Sequence, residues 1–212
     1  MIDVKICGLS TLETMEAAIA QGAAMVGLVF FAKSPRNVSI AQAVMLANAA
    51  RGQSKIVALV VDAEDGLLKD IAKRVRPDFI QAHGNETPQR VSEISSFTKL
   101  PVIKAIKVAT ADDVELAKAY DGHAAMILFD AKAPANLEGA LPGGNGLSFD
   151  WALLKGQSGY MLSGGLNPGN IAEAMMATGA DLVDVSSGVE SSPGVKDKKL
   201  IAKFIEAAKA AG

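Results

Sequence analysis

The stretch IDVKICGLSTLETMEAAIAQGAAMVGLVF, residues 2–30, decides the fold. Two short, β-branched apolar runs, residues 2–7 and 25–30, flank a segment in which Leu12, Met15 and Ile19 recur at three- and four-residue steps. This spacing predicts an amphipathic helix between two buried strands. The stretch therefore predicts one strand–helix–strand unit with a covered, parallel pair of strands.

The same unit recurs along the chain. Six further runs have the composition of strands, at residues 56–61, 78–81, 102–106, 125–129, 159–162 and 182–185. Helical periodicity returns between them, for example at residues 67–75 and 200–208. About eight such units predict an α/β fold, a single-domain (β/α)8 TIM barrel with parallel strands that spans residues 1–212. The same alternation also allows an open, doubly wound sheet.

Helix boundaries are marked by capping residues. Thr87-Pro88 and Asn167-Pro168 each predict an N-cap followed by proline at the first helical position. The remaining signals are Ser10 or Thr11 before the first helix, Gly22 after it, Gly179 at a later helix end, and a helix start near residues 148–151.

The composition excludes several classes of protein. Of 212 residues, 50% are hydrophobic and 21% charged, which is typical of a folded globular chain. The net charge is −2 and there is no long basic run, so we expect no nucleic-acid partner and no membrane partner. A single cysteine cannot form an internal disulfide, so we expect a cytoplasmic protein. No apolar run is long enough for a transmembrane helix.

Polar residues collect where the predicted strands end. In a barrel these positions meet at one mouth. The main ones are Cys7, Lys33 to Arg36, Asp62, Gln81 to Gly84, Lys107, Asp130, Ser163 to Gly165 and Ser186 to Gly188.

Two neighbouring loops have the composition of an anion site. The runs LSGGLNP, residues 162–168, and DVSSGVE, residues 184–190, follow the last two strands. Gly164, Gly165, Ser187 and Gly188 could present backbone N–H groups and a hydroxyl to a phosphate. Ordinary tight turns are the alternative. The chain has neither a P-loop nor a dinucleotide fingerprint, which argues against those nucleotide sites.

Cys7 and Asp130 are the candidate base and acid. A thiolate can remove a proton if its pKa falls towards the working pH, and a buried carboxylic acid can protonate a leaving oxygen. Such a pair could move a proton between neighbouring sugar carbons without a metal or cofactor. The alternatives are packing for Cys7 and a helix cap or loop ion pair for Asp130. We expect the pKa of Cys7 to be lowered by nearby dipoles and by Lys5.

The other charged candidates remain open. His83 follows a strand end and is either a substrate contact or a hydrogen-bonded turn residue, whereas His123 lies at the wrong end of the barrel. No CxxC or HxxxH pattern is present, so we expect no metal. The guanidinium of Arg36 either binds a carboxylate or phosphate through two N–H groups, or is a solvated loop charge. Lys104 and Lys107 are candidate Schiff-base lysines.

Together these segments resemble a known family. VKICGL at Val4, KSPR at Lys33, QAHG at Gln81, LSGGL at Leu162 and DVSSGVE at Asp184 occur in an order similar to that of the phosphoribosylanthranilate isomerases of tryptophan biosynthesis. Further matching segments are GLVF at Gly27, the strand end at Asp130, and GGNG at Gly143 before Phe149-Asp150-Trp151. The likeness runs through nearly the whole chain.

The resemblance implies a reaction and roles for residues. It implies an Amadori rearrangement of N-(5-phosphoribosyl)anthranilate, with a phosphorylated aminosugar as substrate. By the family's pattern Asp130 is the general acid, Cys7 the general base, and Arg36 lies near the anthranilate carboxylate. The loops at Gly164-Gly165 and Ser187-Gly188 match the family's phosphate grip.

Several alternatives accompany this interpretation. Other phosphosugar barrels, such as a ribulose-phosphate epimerase or an indole-glycerol-phosphate synthase, and a phosphate-ligand sensor are the competing functions. We expect a monomer or homodimer. The sequence leaves open whether residues 131–147 close over the substrate, and whether a related aminoaldose of histidine biosynthesis is also used.

Overall fold

The computed structural model describes residues 2–134 and 143–212, and it contains a closed barrel. Its strands are β1 Asp3–Cys7, β2 Met25–Phe30, β3 Lys55–Val60, β4 Phe79–Ala82, β5 Val102–Val108, β6 Met126–Ala131, β7 Tyr160–Leu162 and β8 Leu182–Val185. Each strand pairs in parallel with the next, and β1 also pairs with β8. The predicted (β/α)8 barrel is confirmed and the open sheet is wrong. Part of the loop at 131–147, residues 135–142, lies outside the described residues.

Helices cover the outside of the barrel. They are α1 Leu12–Ala20, α2 Ile40–Ala50, α3 Asp65–Asp70, α4 Pro88–Thr98, α5 Ala111–Glu115, α6 Ile171–Thr178 and α7 Lys198–Ala211. A π-helical turn, Ile71–Val75, continues α3, and a 3-10 turn, Leu116–Tyr120, continues α5. In the described part of the chain, none of these helices has the length and apolar character needed to cross a bilayer.

Most of the predicted helix boundaries are confirmed. The Thr11 hydroxyl accepts a hydrogen bond from the Thr14 N–H at 3.3 Å, and the Thr87 hydroxyl accepts one from the Arg90 N–H at 3.2 Å. Gly179 ends α6 with φ of 69°, a left-handed conformation that costs glycine little. Short polar side chains and glycine therefore mark these helix ends for local reasons.

Two predicted helix starts differ from the structure. Asn167-Pro168 does not begin α6, because the Asn167 side chain accepts a hydrogen bond from the Gly169 N–H at 2.8 Å and a turn over residues 168–170 precedes Ile171. The helix expected near residues 148–151 is only a 3-10 turn, Trp151–Leu154, in which the Asp150 side chain accepts a hydrogen bond from the Ala152 N–H at 3.0 Å. Asn and Asp thus cap turns here, which an isolated sequence does not distinguish from longer helices.

A short hairpin follows the barrel and was not predicted. After a 3-10 turn at Ser187–Val189, the strands β9 Glu190–Ser192 and β10 Val195–Lys196 pair antiparallel. This hairpin brings Glu190 and Lys196 to the carboxyl ends of the barrel strands, where they contact the site described below.

The apolar residues form an outer and an inner core. The outer cluster lies between the sheet and the helices. The inner cluster fills the lower barrel with Met25, Val57, Ile103, Ala105, Leu128, Met161 and Leu182. Side chains alternate along a strand, so the next inward-facing residue lies two positions further on. These residues lie closer to the mouth of the barrel. Lys5, Cys7, Gln81, Asp130 and Asp184 are polar and buried there.

Asp113 at the start of α5 gives a testable stability prediction. Its carboxylate accepts hydrogen bonds from the N–H groups of Ala109 and Thr110 at 2.9 and 3.0 Å and pairs with Lys132 at 2.9 Å. Burial raises its pKa, but the bonds from Lys132 and these N–H groups outweigh that effect and lower the pKa to about 2. Because the folded pKa lies below the unfolded value, the carboxylate stabilises the fold above pH 4 or so, and this contribution is lost as the pH falls towards 2.

Asp113→Asn should therefore reduce the free energy of unfolding at neutral pH by about 1 kcal/mol. Urea unfolding of both proteins at several pH values would measure the difference, which should shrink as the pH drops below 4 or so. A difference that is constant with pH would contradict the assignment. Asp112→Asn, one position earlier on the same turn, is the matched control.

Candidate active site

A cleft of about 740 Å³, including its open mouth, lies at the carboxyl ends of the barrel strands. Its lining includes seven of the eight site residues predicted from the sequence: Cys7, Arg36, His83, Asp130, Gly164, Gly165 and Ser187. The eighth, Gly188, is not among its lining residues. The closed barrel thus brings together residues from β1, β4, β6 and the last two loops.

Cys7 stands at the inner end of β1, only 4% exposed, with its sulfur in tight surroundings. A Cβ atom on Gly27, its register partner on β2, would lie 2.9 Å from the Cys7 sulfur. Gly27 therefore makes room for the thiol, a role that no sequence signal had indicated.

The expected lowering of the Cys7 pKa is wrong. Burial raises the pKa of the thiol above its ordinary value, although Lys5 and Lys196 oppose this and Asp184 adds to it. Lys5 does contact the thiol, but its Nζ is also paired with Asp184 at 2.8 Å, so much of its charge is compensated. Burial lowers the pKa of Lys5, yet Asp184 and Cys7 outweigh it and raise that pKa, which keeps the ammonium charged.

Asp130 and His83 face each other across the cleft floor. The Asp130 Oδ2 atom lies 3.1 Å from the His83 Nε2 atom, and its Oδ1 atom accepts a hydrogen bond from the Ala131 N–H at 2.9 Å. On the other side of the ring, His83 Nδ1 lies 2.8 Å from the Gln81 Nε2 atom. Asp130 is thus held by His83, which directly follows β4, and by the Ala131 N–H of its own strand, not by a helix cap.

Arg36 enters the cleft from the loop after β2 and is already paired. Its Nε and Nη2 atoms donate to the two carboxylate oxygens of Glu190 at 2.7 and 2.8 Å. Lys196 also donates to Glu190, at 2.6 Å, and to the Ser186 carbonyl at 2.8 Å. Burial raises the pKa of Glu190, but Arg36 and Lys196 outweigh it, so this pKa is lowered and the carboxylate holds both cations. Arg36 is therefore not a solvated loop charge.

The two glycine loops pack against each other and against neighbouring backbone. Gly164 and Gly165 have φ of 91° and 63°, and a Cβ on Gly165 would lie 2.6 Å from the Leu147 carbonyl. A Cβ on Gly188 would lie 1.9 Å from the Leu166 oxygen. Gly188 thus allows the loop after β8 to pack on the loop after β7, while Ser187 lines the cleft. These close backbone approaches fix the two loops against each other.

The other predicted candidates lie elsewhere. Lys104 bonds Glu86 at 2.8 Å and the Gly84 carbonyl at 2.7 Å, in a buried network away from the cleft lining. Lys107 is the register neighbour of Asp130 but is not a lining residue of the cleft. His123 is exposed and bonds Ser92 at 2.8 Å. Within residues 2–134 and 143–212, three or more histidine, cysteine or acidic side chains do not gather in a way that could hold a metal.

Sequence reasoning missed several residues of the site. Asp184 and Glu190 stood within the DVSSGVE segment, which was interpreted only as a phosphate loop, and Gln81 stood within QAHG without a role. Their side chains act through buried bonds to Lys5, Arg36 and His83. The acidic residues at the two ends of that segment, Asp184 and Glu190, are the available signal. Lys196 carries no signal in the sequence, because the hairpin that delivers it was not predicted.

Comparisons with known proteins identify the family. The family model for N-(5'phosphoribosyl)anthranilate (PRA) isomerase matches residues 4–207. The chain is 52% identical to the N-(5'-phosphoribosyl)anthranilate isomerase of Rhizobium meliloti (strain 1021), over 99% of this chain and 98% of that protein. It is 53% identical to that of Rhodopseudomonas palustris (strain BisA53), over 99% and 96%.

Solved structures agree. A phosphoribosyl anthranilate isomerase from Thermotoga maritima superposes with a TM-score of 0.88 at 36% identity, covering 99% of this chain and 100% of that one. A phosphoribosyl anthranilate isomerase in complex with reduced 1-(o-carboxyphenylamino)-1-deoxyribulose 5-phosphate gives 0.85 at 34% identity, with coverage of 99% and 100%. With the family model and the curated relatives matching almost end to end, the chain belongs to the N-(5'-phosphoribosyl)anthranilate isomerase family.

Proposed function

We propose that the cleft rearranges N-(5-phosphoribosyl)anthranilate to 1-(2-carboxyphenylamino)-1-deoxyribulose 5-phosphate, a step of tryptophan biosynthesis. The observation that carries the proposal is that Cys7 and Asp130 line one cleft together with two glycine-serine loops. A sugar whose phosphate lies at those loops would place its reactive carbons between a thiol and a carboxyl group. The family match supports this function over an epimerase, a synthase or a sensor.

Asp130 acts as the general acid in the first step. Its carboxylic acid gives a proton to the furanose ring oxygen while the bond between C1′ and that oxygen breaks. The lone pair of the anthranilate nitrogen forms the new C1′=N bond, so the product is an open-chain, protonated Schiff base. The Ala131 N–H and His83 hold the carboxyl group on both of its oxygens, which supports its orientation for this transfer.

Cys7 acts as the general base in the second step. Its thiolate takes the C2′ proton, the C2′–H electron pair forms C1′=C2′, and the electrons of C1′=N return to nitrogen. The resulting enolamine tautomerises to the ketone by losing the hydroxyl proton at C2′ and gaining one at C1′. The Schiff-base cation acidifies C2′, so a thiolate suffices without a metal or cofactor.

Arg36 and the loops fix the two anionic ends of the substrate. With Nε and Nη2 held by Glu190, the guanidinium is oriented rigidly, and its remaining edge is suited to the anthranilate carboxylate. Gly164, Gly165 and Ser187 are suited to the phosphate, with Gly188 supporting their packing. His83 contacts the substrate beside Asp130. We further expect a cytoplasmic monomer or homodimer with no other partner.

The activity itself is the first test. The fluorescence of the anthranilate adduct should fall when the protein is added with metals chelated, because the reaction consumes the adduct. Cys7→Ser and Asp130→Asn should each lower turnover by at least about a hundredfold while binding of a reduced product analogue is kept. Turnover close to that of the parent protein in either variant would remove that residue from its role. Ser10→Ala, outside the cleft lining, is the control.

The Cys7 thiol provides a pH prediction. Since it is the sole cysteine, thiolate absorbance in the ultraviolet reports it alone. We expect its pKa in the substrate-free protein above the ordinary value, because burial opposes the charged form. Lys5→Met should raise this pKa further because a neighbouring cation is removed. Lys5→Met/Asp184→Asn, which removes both charges, should shift it less, and a lower pKa in Lys5→Met would contradict the electrostatic assignment.

Arg36 gives a prediction on binding. Arg36→Met should raise KM by about tenfold or more with a smaller effect on kcat, because a charge-assisted bond to the substrate carboxylate is lost. Steady-state kinetics would measure both constants, with Arg51→Met as a control far from the cleft. An unchanged KM would mean that the guanidinium only supports Glu190.

A further inference from the structure

Gln81 is a buried polar residue whose chemistry the reaction scheme leaves unused. Its side chain lies inside the barrel, fully buried, on the same inner side of β4 as His83. Its Nε2 atom forms a hydrogen bond with His83 Nδ1 at 2.8 Å. Its Oε1 atom is buried and has no hydrogen-bond partner among the described residues. An unsatisfied buried oxygen is costly and calls for a functional or structural reason.

With the Gln81 amide nitrogen facing the ring, one tautomer of His83 satisfies both contacts. A primary amide nitrogen can only donate, so Gln81 Nε2 donates to His83 Nδ1, and that ring nitrogen carries no proton. The ring proton of the neutral imidazole is then on Nε2, from where it is donated to the Asp130 Oδ2 atom at 3.1 Å. In this arrangement the Asp130 Oδ2 atom accepts a hydrogen bond, as it does after the acid has given up its proton.

Rotation of the Gln81 amide by 180° yields the complementary state. Gln81 Oε1 then accepts a hydrogen bond from a protonated His83 Nδ1. His83 Nε2 then carries a lone pair, and Asp130, as a carboxylic acid, donates its proton to that nitrogen. The two states differ by one proton, which is carried by the Asp130–His83 pair. The rotation needs little additional space because amide oxygen and nitrogen are nearly equal in size. It gives the oxygen a partner and places the amide nitrogen in the position that has none.

We propose that Gln81 is a positioning residue for the acid step. Its amide rotates when the tautomer of His83 changes, and this rotation allows Asp130 to regain a proton. The inference rests on the proposed role of Asp130 as general acid. Gln81 does not touch the substrate, since it is not among the residues that line the cleft. It acts through the imidazole.

The surroundings fix the backbone beside His83 and cover the His83–Asp130 pair closely. The Gly84 N–H donates to Glu86 at 2.9 Å, and Lys104 binds both Glu86 and the Gly84 carbonyl, so the backbone beside His83 is fixed. A Cβ on Gly143 would lie 2.6 Å from His83 Nε2 and 2.8 Å from Asp130 Oδ2. Gly143 therefore lets the loop cover this pair closely.

Other charges near the pair bear on its pH dependence. From β1 and β8 these are Lys5, Cys7 and Asp184, and from the loops Arg36 and Glu190. Lys107 is adjacent on β5, and β3 presents only Leu59 and Val61 to the cleft. Lys5 is paired with Asp184, and Glu190 is shared by Arg36 and Lys196, so both carboxylates are compensated. The Gln81 amide is a neutral group bonded directly to the ring.

The tautomer can be measured directly by nitrogen-15 NMR. The chain has two histidines, and His123→Asn leaves His83 as the only imidazole. In the substrate-free protein near neutral pH we expect Nε2 protonated and Nδ1 unprotonated. Nδ1 protonated in that spectrum would overturn the proposal whether or not any Gln81 variant folds.

Gln81→Met keeps the length of the side chain and removes both hydrogen-bonding groups. We expect kcat to fall roughly tenfold with KM changed less than about twofold, because only the reloading of the acid is impaired. The alkaline limb of the kcat profile should move to lower pH by up to about one unit, since the protonated form of the pair loses its acceptor. The His83 spectrum should show mixed tautomers.

Met161→Leu, an inner-core change elsewhere in the barrel, is the control and should leave the profile and spectrum unchanged. If Gln81→Met lowers only thermal stability while kcat, its pH profile and the tautomer stay as in the parent protein, the residue is merely structural and the proposal fails. If Gln81→Met behaves in this way and Asp130→Asn is inactive, only the proposed role of Gln81 is overturned. If Asp130→Asn is active, the acid role of Asp130 is overturned, and with it the basis for the role of Gln81.

Discussion

The buried ion pair between Lys5 and Asp184 is the interaction on which the site depends. It joins β1 to β8 at 2.8 Å, between residues that are register partners at the seam where the barrel closes. Both side chains are almost fully buried, so each charge has lost its water and must be compensated by the other. Ser163 contributes a further bond to Asp184 at 3.3 Å. Removal of either partner would leave a bare charge directly beneath Cys7.

Closure of the barrel also accounts for the convergence of residues far apart in the chain. Arg36 and Glu190 are 154 positions apart and yet form a bidentate ion pair, because both follow strands that end at the same rim of the barrel. His83 and Asp130 are likewise brought together by β4 and β6. The rim is thus a ring of paired polar groups around a cleft. Pairing orients each group before the substrate arrives, which reduces the entropy that binding has to overcome.

Local patterns predicted much of this structure and failed for identifiable reasons. The apolar runs predict all eight barrel strands to within two residues at each end, because a strand covered on both faces must be apolar throughout. Asn167 and the segment 148–151 predict helix starts, but Asn167 and Asp150 cap short turns, and the capping chemistry is the same in the two cases. Cys7 was expected to have a lowered pKa from Lys5, whereas burial raises it, and burial is a property of the assembled barrel.

The sequence by itself determined the class of fold, the positions at which reactive side chains follow the strands, and the likeness to a family of isomerases. It did so because period, capping residues and glycine-serine loops are local in the chain. Only the tertiary structure decided which charges pair, that Glu190 and Lys196 return to the rim through a hairpin, and that Gln81 has one oxygen left over beside His83. Those outcomes depend on distances between distant segments and on the loss of water from their side chains, and neither quantity is written in a local pattern.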